Sequence, residues 1–152
     1  MLPMKNFILP SILAFGLLFS CNNDDDSSID NANIVGTWKF VKYQTQYSKD
    51  NKIVDEDIAD DCSSKDNYTF NKDNSYLAVG FDYINGNCIQ DWTVKAIYTI
   101  TGNKIKIEYA PNDIAEGEIS KLTKNELILK SDYGEDLDGD GKNEIDILIL
   151  KR

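Results

Sequence analysis

The sequence predicts an all-β fold, an eight-stranded antiparallel up-and-down barrel. Apolar and polar residues alternate with a period of two from Ile34 onward, which is typical of strands with one buried face. Turns rich in Asn, Asp and Gly interrupt the alternation at hairpin spacing. No stretch of this part shows a helical period, so a parallel βαβ fold is excluded. A sandwich would also fit, but a closed meander removes the exposed edges of an open sheet and favours the barrel.

The first predicted strand, residues 34–47, alternates through Trp38 and Phe40. Gly102 and Asn103 form a two-residue hairpin signal, after which Ile105, Ile107 and Tyr109 are expected to face inward. The other strands are predicted at residues 68–70, 76–81, 92–100, 105–109, 116–122, 126–131 and 144–150.

Residues 48–66 lose the alternation and hold six acidic residues between Asp50 and Asp61. We expect a long solvated loop here, either irregular or with a short helical turn around residues 56–61. We interpret neighbouring carboxylates such as Asp55 and Glu56 as part of a solvated surface and not as a catalytic acid and base.

Residues 1–20 have the features of a secretory signal peptide: Lys5, no acidic residue, and an apolar run that ends just before Cys21. The run is too short and too interrupted by proline for a comfortable membrane span. Leu18-Phe19-Ser20-Cys21 resembles a bacterial lipobox. The resemblance implies cleavage before Cys21, acylation of that cysteine with fatty acids such as palmitate, and stable attachment to a membrane.

Residues 21–33 are polar and acidic, which predicts a flexible tether. The triplet Asp24-Asp25-Asp26 resembles the surface-export signal of Bacteroidetes lipoproteins and implies an outer-membrane protein exposed on the cell surface. The alternative is a solvated spacer that faces the periplasm. Residues 34–152 are then left to form the barrel.

Charge and composition exclude several functions. The chain has 26 acidic and 16 basic residues, a net charge of −10 and no histidine. Such acidity opposes binding to phosphate backbones, so nucleic acid is not expected as a partner. Missing histidine removes the usual general base and the commonest zinc ligand. No pair of nucleophile and base can be named, so we expect no enzyme.

Cys62 and Cys88 remain as an even pair if Cys21 carries lipid. In an oxidising compartment a disulfide is the default. Its loop closure would stabilise the fold by about 3–4 kcal/mol.

The segment that begins Ile34-Val35-Gly36-Thr37-Trp38 resembles the Gly-x-Trp opening of lipocalins, and specifically the lipocalin-like lipoprotein domains of Bacteroidetes. Residues 67–70, before an Asn/Asp turn, and residues 119–127 fit the same style. The resemblance implies a lipocalin-like barrel whose tryptophan plugs the narrow end. It also implies that Lys151 or Arg152 lies over this ring.

A loop near the carboxyl terminus predicts a metal site. Its sequence, Asp-Leu-Asp-Gly-Asp-Gly-Lys-Asn-Glu over residues 136–144, spaces its carboxylates as calcium loops do. The bidentate glutamate of an EF-hand is absent, and the loop instead resembles an integrin-type DxDGDG hairpin. That resemblance implies a structural Ca²⁺ with five ligands: Asp136, Asp138, Asp140, the Lys142 carbonyl and Glu144. The alternative is a solvated acidic turn.

Two functions from different classes fit the sequence. In the first, the barrel binds a small apolar ligand without catalysis. The candidate cavity residues are Trp38, Phe40, Tyr76, Trp92, Tyr98 and Tyr109. In the second, the barrel is filled and acts as an interaction or accessory subunit of an envelope protein complex.

Overall fold

The computed structural model describes residues 34–152, so the predicted signal peptide, Cys21 and the tether lie outside the described residues. Nine strands follow one another in this part of the chain, and a 3-10 turn at Ser63–Lys65 lies between the second and the third. Their bounds are β1 Gly36–Gln46, β2 Ile53–Ile58, β3 Asn67–Phe70, β4 Ser75–Ile84, β5 Asn87–Thr101, β6 Lys104–Ala110, β7 Asp113–Leu122, β8 Glu126–Asp132 and β9 Ile145–Lys151. In this part of the chain, no helix has the length and apolar character needed to span a membrane.

The strands form a closed antiparallel barrel. From β3 to β9 each strand pairs with the next in sequence, and β9 pairs with β1 to close the sheet. The predicted eight-stranded up-and-down barrel is therefore confirmed. Nine strands fill eight positions because β2 and β3 lie end to end along one edge of β1: Lys42 pairs with Ile58 of β2, and Lys39 with Asn67 of β3.

The expected helical turn at residues 56–61 is wrong, and the loop expected over residues 48–66 contains a strand. Residues 53–58 form β2, and a single 3-10 turn follows at Ser63–Lys65. An acidic strand is tolerated because β2 pairs with β1 alone and keeps most of its side chains in solvent. Lys42 and Gln44 of β1 also bond to Glu56, which compensates part of its charge.

The predicted disulfide joins Cys62 to Cys88. Cys62 lies between β2 and β3, and Cys88 lies at the start of β5. Beyond Val79, β4 no longer pairs with the split strand. Two contacts connect the strands where this pairing is missing. One is the disulfide. The other is a hydrogen bond from the backbone N–H of Phe81 to the Asp66 carboxylate at 2.7 Å.

The core is concentrated at one end of the barrel, which we call the closed end. Trp38, Phe70, Tyr98, Leu127 and Leu150 are at most 1% exposed there. Tyr98 meets Phe70 edge-on and donates its hydroxyl to the carbonyl of Asn71 at 2.8 Å. The opposite end, which we call the mouth, carries the connections 47–52, 85–86, 111–112 and 133–144.

Candidate functional site: the barrel mouth

A cavity of about 210 Å³ opens between the barrel walls below the mouth. Strand alternation determines which side chains reach it, because positions i, i+2 and i+4 of a strand share one face. Since Leu127 and Leu150 belong to the core, Leu129 and Ser131 of β8 and Leu148 and Asp146 of β9 share the inner face. Leu129, Ser131, Asp146 and Leu148 all line the cavity.

Four tyrosines form much of the remaining wall. They are Tyr43 of β1, Tyr68 of β3, Tyr76 of β4 and Tyr109 of β6. Burial raises the pKa of the Tyr68 hydroxyl to about 12, with smaller contributions from Asp66 and Tyr109. Burial also raises the pKa of Tyr76 and of Tyr109. These hydroxyls are therefore neutral near pH 7, where each can donate one hydrogen bond.

Asp146 supplies a carboxylate to this wall. Thr45, on the neighbouring strand, donates its hydroxyl to Asp146 Oδ1 at 3.1 Å. Burial, and after it the neighbouring Asp146 carboxylate, raise the pKa of Tyr43. The Thr45 hydroxyl thus orients the carboxylate on the inner face, next to Tyr43.

Two other charged residues border the cavity without pointing into it. Glu116 alternates with Ala115 and Gly117 on β7, and Lys130 alternates with Leu129 and Ser131 on β8. Glu116 and Lys130 also line a shallow groove beside residues 136–144, which we call the acidic loop. This is expected of side chains that point outward. Among the charged residues that line the cavity, Asp146 is the one on the inner face.

The acidic loop lies at the rim of the mouth. Asp136, Asp138 and Glu144 each place a carboxylate oxygen within 4.8 Å of the others. Backbone N–H groups hold these side chains: Gly139 and Gly141 donate to Asp136, and Leu137 donates to Glu144 Oε2 at 2.8 Å.

Glu144 is 1% exposed, and its Oε1 atom is buried without a hydrogen-bond partner in the described part of the chain. Asp138 pairs with the ammonium of Lys49, 2.7 Å away in the connection between β1 and β2. This ion pair lowers the pKa of Asp138, mainly through the hydrogen bond from Lys49. Asp140 belongs to the same turn but accepts the backbone N–H of Lys142 at 2.9 Å and lies outside the three-carboxylate group.

The closed end has the geometry that the resemblance to the Gly-x-Trp motif implies for the narrow end of a lipocalin barrel. Trp38 is fully buried, and its indole N–H donates to the carbonyl of Ile34 at 2.8 Å. The guanidinium carbon of Arg152 lies 4.1 Å from the centre of the Trp38 ring. A side chain at Gly36 would meet Arg152 Nη1 at 2.9 Å, and Gly36 has a φ of +134°, so glycine is required there.

The model of the lipocalin-like domain family matches residues 34–129. This chain belongs to the lipocalin-like domain family. Proteins of the lipocalin family are in general non-enzymatic binding proteins, and lipocalins bind small apolar ligands. None of the curated proteins matches the sequence at a significant level.

Solved structures similar to this lipocalin-like domain come from bacteria and mammals. A lipocalin-like protein from Bacteroides uniformis is 19% identical, with 79% of this chain and 98% of that chain covered and a TM-score of 0.49. A dog lipocalin allergen is 20% identical over 78% of this chain and 73% of its own, with a TM-score of 0.42. Bovine odorant-binding protein, in complex with a selenium-containing odorant, is 12% identical over 81% and 72%, with a TM-score of 0.42.

The six candidate cavity residues separate into three groups in the lipocalin-like domain. Tyr76 and Tyr109 line the cavity. Trp38, Phe40 and Tyr98 belong to the packed core and do not line it. Trp92 also lies outside the lining. It is 38% exposed and packs where a side chain at Gly80 would otherwise stand.

The six candidate cavity residues did not include Tyr43, Tyr68 or Asp146, which also line the cavity. The signal for Asp146 was its alternation with Leu148 and Leu150. On an inward-facing strand, a carboxylate at such a position must face the interior. Tyr68 carried a weaker signal of the same kind: it shares a face with the buried Phe70, but β3 has only four residues, and its place in the wall depends on its pairing with β1 and β4.

Proposed function

We propose that this chain is a lipid-anchored protein of the cell envelope whose lipocalin-like barrel binds a small, largely apolar ligand at its mouth, without catalysis. The observation that supports it is the cavity of about 210 Å³, lined by inner-face residues of several strands. Drug-sized ligands occupy pockets of about 300–1,000 Å³. The ligand is therefore smaller than these, and it contacts aliphatic side chains and tyrosine hydroxyls together.

Filling the cavity tests this proposal. Ala115 lines the cavity and is exposed at the mouth, so Ala115→Trp places an indole in the cavity without disturbing the core. We expect loss of binding in titrations with small apolar probes and loss of any ligand that mass spectrometry detects in extracts of the native protein.

Ile114→Trp is the matched control, since Ile114 is 42% exposed and alternates with Ala115 on β7. It should bind like the wild type. Equal binding by Ala115→Trp and Ile114→Trp, or no ligand and no binding in the wild type, would contradict the proposal.

The proposed anchor is a lipid on Cys21, followed by the acidic tether of residues 21–33. It is supported by the sequence from Leu18 to Cys21 alone. Wild-type protein should fractionate with the outer membrane, and Cys21→Ala should not. Digestion by protease added to intact cells supports surface exposure; protection until the outer membrane is opened would favour the periplasmic face.

We further propose that the acidic loop holds a structural Ca²⁺. The three-carboxylate group of Asp136, Asp138 and Glu144 supports it, together with the unpartnered, buried Oε1 of Glu144. Oxygen donors of this kind suit a hard cation. Lys49 neutralises part of the charge, so calcium must compete with an ammonium and should bind weakly, with a Kd of about 10⁻⁴ to 10⁻³ M as in extracellular modules.

Calorimetry and thermal unfolding test the calcium proposal. Ca²⁺ should raise the Tm, and EDTA should reverse the increase. Glu144→Gln should abolish both the heat of binding and the Tm increase, whereas Asp113→Asn, an exposed acid outside the loop, should leave both intact. No heat and no shift in the wild type would mean that the loop is a solvated acidic turn.

The second candidate, an accessory subunit of an envelope protein complex, is favoured by the tip of the β4–β5 hairpin. Tyr83, Ile84 and Ile89 are 40–49% exposed there. Exposed apolar patches mark interaction surfaces. If this function holds, Ile84→Asp with Ile89→Asp should abolish co-purification of an envelope protein and leave ligand binding unchanged.

A further inference from the structure

The inner wall of the cavity combines features that select a particular ligand chemistry. Asp146 is the charged residue that the described strands direct into the cavity, and it lies among four tyrosines. A carboxylate can accept about four hydrogen bonds. Thr45 supplies one donor, which leaves acceptor capacity on the carboxylate.

We propose that the ligand is a small primary amine with a compact apolar body, whose ammonium group binds Asp146. This inference rests on the proposed function, because it names the ligand class of the same cavity. The ammonium would donate to the remaining acceptor positions of the carboxylate, and charged hydrogen bonds of this kind are stronger than neutral ones.

The other walls fit the rest of such a molecule. Ile105, Ile107, Leu129 and Leu148 provide aliphatic surface for the body of the amine. The tyrosine rings add attraction wherever a cation lies over a ring face. A volume of about 210 Å³ equals that of about seven water molecules in the liquid, which restricts the ligand to a single small ring or a short chain.

The charge of the whole protein acts in the same direction. A net charge of −10 attracts cations and repels anions, and the effect is strongest in clefts with low-dielectric walls. A carboxylic acid of the same size would meet Asp146 as a like charge. The cavity therefore discriminates among amine, neutral alcohol and acid, in that order.

Three molecules of matched shape test this order: phenethylamine, phenethyl alcohol and phenylacetate. Calorimetry on the full-length protein in EDTA keeps divalent cations from competing. We expect the amine to bind about ten- to a hundredfold more tightly than the alcohol, the gain from a hydrogen bond to a charged group, and the acid not to bind. Asp146→Asn should remove this advantage, so that the variant binds the amine no more tightly than the alcohol. Asp91→Asn, on an exposed residue of β5 outside the cavity lining, is the matched control and should change neither affinity.

A second variant keeps the test decisive if Asp146→Asn does not fold. Tyr109 is 39% exposed, so Tyr109→Leu should fold normally and should reduce the preference for the amine over the alcohol about two- to fivefold.

Equal wild-type affinities for amine and alcohol would overturn the inference, and so would unchanged amine affinity in folded Asp146→Asn. If the cavity binds neutral apolar probes but not the amine, the amine inference fails and the proposed function stands. If no probe of any charge binds, both fail.

Discussion

The two ends of the barrel achieve order by different means. At the closed end, large apolar side chains are almost completely buried, and the strands are joined by turns of only a few residues. At the mouth, one barrel position is split between β2 and β3, and a twelve-residue acidic connection joins β8 to β9. Ordering there depends on a disulfide, an ion pair between loops and hydrogen bonds to carboxylates.

This difference indicates that stability depends mainly on the closed end and that binding depends on the mouth. Burial of apolar surface is the dominant favourable term in folding, and it is concentrated at the closed end. The mouth gives up part of that burial and gains a cavity with an oriented carboxylate. Variants at the closed end should therefore change stability most, whereas variants at the mouth should change binding.

The two tryptophans provide the sharpest test of this contrast. Trp38 is 0% exposed and Trp92 is 38% exposed. Trp38→Ala should lower the free energy of unfolding by about 3–5 kcal/mol, since it removes a large buried side chain and leaves a cavity. Urea unfolding monitored by circular dichroism measures the change.

Trp92→Ala is the matched variant at the mouth. It should cost clearly less, because the indole is already partly in solvent and rests on Gly80. Similar losses for the two variants would mean that the two ends contribute equally to stability.

The disulfide should have the next largest effect. Cys62→Ser combined with Cys88→Ser opens a loop with a sequence separation of 26, and loop-closure entropy predicts a loss of about 3.5 kcal/mol. Hydrogen exchange should show increased exchange at the β4–β5 hairpin, with the core around Trp38 still protected. Uniform loss of protection would show that the mouth does not unfold independently.

Much of the closed end could be predicted from sequence because its determinants are local. Gly102 is a turn signal, and Thr101 and Lys104 pair around it as expected. Ile105 and Ile107 face inward as their alternation predicts. The Gly36-x-Trp38 pattern predicted both the buried tryptophan and the cation over it, which is Arg152.

The mouth could be predicted only in part because its order depends on residues distant in sequence. β2 is acidic and has no clear alternation, and it becomes a strand only because β1 offers it an edge and Lys42 pairs with Glu56. The disulfide was predictable from cysteine count and compartment. Lys49 at the acidic loop was not predictable, because the contact with Asp138 joins two connections far apart in the chain.

Arg152 should give a smaller loss at the closed end. Its Nε donates to the carbonyl of Lys124 at 2.7 Å, and its Nη1 donates to that of Val35 at 3.0 Å. Arg152→Met removes these bonds and the cation over Trp38, and it should lower the free energy of unfolding by about 1–2 kcal/mol. Lys151→Met, on the exposed neighbouring residue, should change it little. Equal effects would assign no special role to the arginine.

The smallest effect concerns the pH dependence of the mouth. Burial raises the pKa of Asp66, with contributions from Asp60 and Asp82, against the hydrogen bond from Phe81 and the attraction of Lys39. Because the folded pKa lies above the unfolded value of about 3.9, the native state binds more protons than the unfolded state between these two pKa values. The stability that Asp66 contributes is therefore fully present below the unfolded pKa and is lost as pH rises through the folded pKa.

Asp66→Asn removes this titration while its amide oxygen can still accept the Phe81 N–H. The variant should therefore gain stability relative to the wild type between about pH 3.5 and about pH 7. Urea unfolding at both pH values measures the change, and Asp91→Asn, on an exposed residue of β5, is the control. A relative stability of Asp66→Asn that falls as pH rises would show that the hydrogen bond from Phe81, not burial, dominates at Asp66. The carboxylate would then stabilise the bridge between the split strand and β4 rather than weaken it.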